Sequence, residues 1–120
     1  DVSVTTLERT VADLFDRYDL AGGAEELMQS LTMIPRLKVD RLFECMRALG
    51  NASAAAAAGW WLSTQMERLD VSPADLVRFR GLAPKNPQYA LGAKPGAAKW
   101  LPDWSIMLPT EILGAGFEGL

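Results

Sequence analysis

Between Leu76 and Pro102 the chain carries five basic residues, Arg78, Arg80, Lys85, Lys94 and Lys99, and no acidic one. Tyr89, Trp100 and Trp104 stand among or just beyond them in GLAPKNPQYALGAKPGAAKWLPDW. Cations interleaved with aromatic rings suit phosphate contact and base stacking; the same rings at strand spacing also suit a core, and the same charges also suit solvated loops. A second feature is Trp60-Trp61, set about 100° apart on a helix, so the two indoles cannot share one narrow stripe. Either that helix is surrounded, or one indole faces outward as an anchor for a partner.

Other chemistry is thinly supplied. The chain has no histidine and one cysteine, so Ser-His-Asp and Cys-His arrangements, zinc sites of known spacing and an internal disulfide are excluded. No Gly-rich phosphate-binding motif occurs. The neighbouring carboxylates Asp13 with Asp16, and Glu25 with Glu26, fall on outward faces of amphipathic helices, where carboxylates are ordinarily solvated. We therefore expect no catalytic residue, no metal and no cofactor, and a protein that works by binding rather than as an enzyme. Cys45, between Phe43 and Met46, reads as a buried, unreactive thiol.

The elements that must position these residues are mainly helical. Asn51–Leu69, NASAAAAAGWWLSTQMERL, is apolar on every side until Ser63, so it reads as a buried central spine. Alanine's short side chain lets other helices approach its backbone closely. Before it, Thr5 to Glu8 matches a capping box, and Leu7, Val11, Leu14, Phe15 and Tyr18 mark the inner face of a first helix. Gly22-Gly23 ends that helix, and a second runs from about Ala24 to Met33 and stops at Pro35. A third starts near Asp40 and stops at Gly50; Asn51 then caps the spine. Ser72-Pro73-Ala74-Asp75 opens a short fifth helix that ends at Gly81.

Five of the seven prolines lie in the last 37 residues, where helix gives way to strand. Gln88–Leu91 and Trp100–Leu108 are the strand candidates, joined by a loop at Gly92–Gly96 as an antiparallel pair, with Val2–Val4 as a further β-prone stretch. Trp104, Ile106 and Leu108 share one face; Ser105 and Met107 share the other. The expected fold is α+β: about five helices around the Ala-rich helix, with a small antiparallel sheet near the C-terminus. It forms one domain over residues 1–113, followed by a flexible tail at 114–120. No run approaches the roughly 20 apolar residues of a membrane span, which fits a cytoplasmic protein. Net charge is −3, but unevenly spread: −5 over residues 1–34, +5 over 35–101 and −3 over 102–120.

Three segments, VTTLERTVADLFDRYDLAGG, ALGNASAAAAAGWWLST and LAPKNPQYALGAKPGAAKWLPDWSIMLPTEIL, resemble in order and spacing the C-terminal domain of AbiEi-type abortive-infection antitoxins, the type IV toxin–antitoxin transcriptional regulators. The resemblance implies a bacterial phage-defence protein whose N-terminal winged helix-turn-helix domain, absent from these residues, binds the operon's own promoter DNA. The C-terminal domain then neutralises a cognate nucleotidyltransferase-like toxin and assists autoregulation. Nucleic-acid or partner contact falls to Arg78, Arg80, Lys85, Lys94 and Lys99, and a homodimer or other protein interface to Trp60 or Trp61. One departure is that Ala57 and Ala58 precede Gly59, where relatives carry a basic residue.

Overall fold

The computed structural model describes residues 7–113. The expected strand at Val2–Val4, the capping role of Thr5 and the tail at 114–120 lie outside them. Helix α1 spans Leu7–Asp16 and passes through a 3-10 turn, Tyr18–Ala21, into α2 (Ala24–Thr32). Then come α3 (Val39–Leu49), α4 (Ala52–Thr64), the short α5 (Met66–Leu69) and α6 (Pro73–Arg80). Strands β1 (Gln88–Tyr89), β2 (Ala98–Leu101) and β3 (Ile106–Pro109) follow, and α7 (Thr110–Leu113) closes the described chain.

The spine is α4, and all nine residues from Ala54 to Leu62 are buried. Asn51 starts it as expected: its Oδ1 accepts the Ala54 N–H at 3.1 Å, satisfying one of the amides a helix start leaves unpaired. Its Nδ2 also donates to Asp16 Oδ1 at 2.9 Å, fixing α4 against the end of α1. The spine stops sooner than its apolar pattern suggests. Ser63 and Thr64 turn their hydroxyls back to the carbonyls of Trp60 and Trp61, at 2.5 and 2.7 Å, and this local pairing competes with helix continuation. Gln65 breaks the axis, and Met66 and Leu69 belong to a separate turn, α5.

Helices α1, α3 and α6 and strand β3 pack around α4. Val11, Ala12 and Phe15 of α1, Leu42 and Met46 of α3 and Phe79 of α6 supply fully buried side chains to that shell. Removing each large apolar side chain from water stabilises by about 1.5–3 kcal/mol, which makes this cluster the main source of stability. Ser72 begins α6 with a full capping box, its hydroxyl accepting from Asp75 N–H while Asp75 accepts from Ser72 N–H. Helix α3 begins two residues earlier than an Asp40 N-cap implies, with Lys38 at the N-cap position.

Two expectations about polar residues change. Glu8, placed by sequence in a capping box and not among the inner-face residues of α1, is buried, and its Oε2 accepts the Lys38 N–H at 2.8 Å. A carboxylate there satisfies a free amide at the start of α3 and meets the positive end of the helix dipole. Cys45 is half-buried rather than enclosed, and burial nonetheless pushes its thiol pKa up.

The sheet is mixed rather than wholly antiparallel. Its order is β1-β3-β2, with β3 in the centre. Strand β2 pairs antiparallel with β3, Trp100 opposite Met107 and Leu101 opposite Ile106, while β1 pairs parallel with β3, Tyr89 opposite Met107. The stretch Trp100–Leu108, expected as one strand, folds into a hairpin turning at Pro102–Ser105, where Ser105 takes a positive φ of 55°. Pro102-Asp103 is a dipeptide that favours turns, proline through its fixed φ and Asp through its residue-type preference. Among the described residues no helix is long and apolar enough to cross a membrane.

Candidate functional site

One face of the sheet is core. Ile106 and Leu108 are fully buried toward α4. Alternation along β3 puts Met107 on the opposite face, and the register aligns it with Tyr89 of β1 on one side and Trp100 of β2 on the other. On this outer face Tyr89 is 46 % and Trp100 41 % exposed, with Met107 half-buried between them. Neighbouring strands lie about 4.8 Å apart, which sets the two aromatic positions about 10 Å from each other. The chain thus presents a row of aromatic, thioether and aromatic side chains on a firmly backed surface.

Trp104, grouped by sequence with the same aromatics, goes elsewhere. Its ring enters the core from the β2–β3 turn and lies against Gly59 of the spine. A Cβ built at Gly59 would fall 2.4 Å from Trp104 Cζ3 and 3.0 Å from Phe79 Cβ. The glycine is the notch that admits this indole.

The structure divides the five basic residues. Arg78 is committed to α3: Nη1 donates to Asp40 Oδ1 at 2.5 Å, and the guanidinium sits 4.3 Å from the Phe43 ring centre. Phe43 in turn meets Phe79 edge-on with centroids 5.6 Å apart, so Arg78 closes a small cluster between α3 and α6. The guanidinium of Arg80 lies 5.3 Å from the Trp104 ring centre and caps the buried indole from outside. Lys85, Lys94 and Lys99 are exposed and form no ion pair among the described residues. Lys85 precedes β1 and Lys94 lies in the connection to β2. Lys99, opposite Leu108 in register, sits on the open edge strand. Lys94 shares a groove of about 330 Å³ with Glu111, Tyr18 and Pro109, so part of its field is offset there.

The spine tryptophans do not form an interface. Trp60 is 4 % and Trp61 3 % exposed, and Trp61 packs on Phe15 with ring centroids 6.0 Å apart. This corrects the expectation of an outward indole: α4 is surrounded, and neither ring is available to a partner. The exposed indole of the molecule is Trp100, which the sequence reading grouped with the basic segment rather than singling out as an anchor.

Of the neighbouring carboxylates, Glu25 and Glu26 are exposed at the start of α2, whereas the other two have structural partners. Asp13 pairs with Arg9 at 3.6 Å and Asp16 accepts from Asn51. A wider groove, about 760 Å³, lies between α3, α5 and α6. Lys38 and Arg41 line it together with Asp40, Glu44, Asp70 and Asp75, and these mixed charges give a charged ligand no single-sign field. No family model, curated protein or solved structure matches this chain.

Proposed function

We propose that this chain is the binding domain of a non-enzymatic bacterial antitoxin and transcriptional regulator, cytoplasmic, in a phage-defence toxin–antitoxin operon. Its role is to neutralise a nucleotidyltransferase-like toxin and to assist promoter autoregulation, with a winged helix-turn-helix domain reading the promoter DNA. The reading draws on the three-segment resemblance to AbiEi-type antitoxins. The observation that carries a binding mechanism is the outer sheet face, where the exposed Tyr89 and Trp100 flank the half-buried Met107 near Lys85 and Lys94, which form no ion pair among the described residues. A helical scaffold that buries its own tryptophans while leaving this row open suits a domain that works by contact.

Growth rescue tests it. Cells expressing the cognate toxin should recover when this chain is co-expressed, and should fail to recover with Lys85→Glu and Lys94→Glu combined, the variant keeping its helical circular dichroism. Unchanged rescue and unchanged promoter binding by that variant would remove the sheet surface from the mechanism.

A further inference from the structure

We infer that the outer face of the C-terminal sheet binds single-stranded nucleic acid, with two unpaired bases stacking on Tyr89 and Trp100 across Met107. The inference rests on the reading of this sheet as the contact surface and names its occupant. Three observations carry it. Tyr89 and Trp100 are close to half exposed on the two strands that flank the largely buried β3, in register with Met107, so their rings stand on the sheet rather than under it. The register holds them one strand apart on either side of Met107, a spacing of about 10 Å that extended, splayed bases span and stacked duplex bases do not.

The third observation is charge. From Leu76 to Pro102 every charged residue is basic, and Lys85, Lys94 and Lys99 have no ionic partner among the described residues. Lys85 lies before β1 and Lys94 between β1 and β2, at the margins of the aromatic row, whereas Lys99, paired with the buried Leu108, leaves β2 on the pleat opposite to Trp100. Lys85 and Lys94 give the layout a backbone-and-base ligand needs, phosphates at the margin and bases in the middle. Of the acids nearest in sequence, Asp103 lies in the β2–β3 turn, and Glu111 of α7 shares the groove of Lys94 and offsets part of its field. A protein partner would also use Tyr and Trp anchors; the one-sided charge of this segment favours a polyanion.

The test uses the whole 120-residue chain and fluorescein-labelled oligo-dT and oligo-rU of about ten to twelve nucleotides, read by anisotropy. Binding should be tighter to the single strands than to a duplex of the same length. It should weaken with salt at a log–log slope of about −1.4, as two lysine–phosphate contacts, by Lys85 and Lys94, give. Trp100→Ala and Tyr89→Ala should each weaken binding about tenfold, whereas Trp100→Phe, which keeps a stacking face, should stay within a few-fold of the parent chain. Each ring is partly covered and in register with Met107, so the alanine variants should unfold at a slightly lower temperature while remaining folded at the assay temperature.

Absence of binding to both oligonucleotides at about 50 mM salt, or Trp100→Ala binding like the parent, would overturn the inference. Toxin rescue separates the two levels. If no oligonucleotide binds but Trp100→Ala abolishes rescue, the occupant is a protein and only the inference falls. If oligonucleotides bind as expected but the chain rescues cells from no nucleotidyltransferase toxin, the inference stands and the antitoxin reading falls.

Discussion

Gly59 sits in the middle of a helix, where glycine costs about 1 kcal/mol relative to alanine. Its reason is Trp104, whose ring occupies the space a Cβ would need. Gly59→Ala should therefore lose about 1–2 kcal/mol in urea unfolding, because overpacking against a buried indole outweighs the gain in helix propensity. Combined with Trp104→Leu, the same change should become neutral or stabilising. An equal loss in both backgrounds would show that the ring and the glycine are not coupled. Cys45 gives a second residue-scale expectation. Burial is the main cause of its raised pKa, with Arg9 opposing and Glu8 and Asp13 adding. The folded pKa is above the unfolded one, so the stability conferred by the neutral thiol is full below about pH 8.5 and declines as pH rises through the raised value. Labelling by a thiol reagent at pH 8 should be slower in the native chain than in urea; equal rates would contradict this.

At the scale of elements, local signals were readable and long-range pairings were not. The caps at Asn51 and Ser72 follow from residue type within three positions, and both form. Asn51→Ala should cost about 1–2 kcal/mol, since it removes a cap and the bond to Asp16 together; Ser72→Ala should cost about 1 kcal/mol. Denaturant midpoints with unchanged slopes would measure both, and a smaller loss at Asn51 than at Ser72 would argue against the α1–α4 tie. Glu8 was misread because its partner, the Lys38 amide, is 30 residues away and periodicity cannot report a bond across that distance. The same holds for Arg78 and Asp40, 38 residues apart, which reassign a cation from the binding segment to an interhelical tether. Alternation along β3 placed Met107 correctly outside and Ile106 and Leu108 inside. The parallel pairing of β1 with β3 had no such signature, because strand order depends on how the connections fold. The hairpin turn did have one, in Pro102-Asp103. The burial of both spine tryptophans was open in the sequence and is decided by packing: a helix with no polar face until Ser63 is enclosed all round, and adjacent indoles follow it inward.

Across the whole molecule, an acidic chain carries its one long acid-free, basic segment at the end where the helices give way to a sheet. Among the described residues the helices bury the Ile106 and Leu108 side of β3, and the aromatic row stands on the other side, so it is a consequence of the architecture. Of the four tryptophans, Trp60, Trp61 and Trp104 are buried and Trp100 is the exposed one. Acrylamide quenching should accordingly reach one indole, and Trp100→Phe should leave an emission spectrum that is blue-shifted and barely quenched. The central claim, that the exposed sheet face is the working surface, is tested most directly by toxin rescue with Tyr89→Ala and Trp100→Ala together in a chain that remains folded at the assay temperature. Loss of rescue is the expected result. Full rescue by that folded double variant would contradict the account.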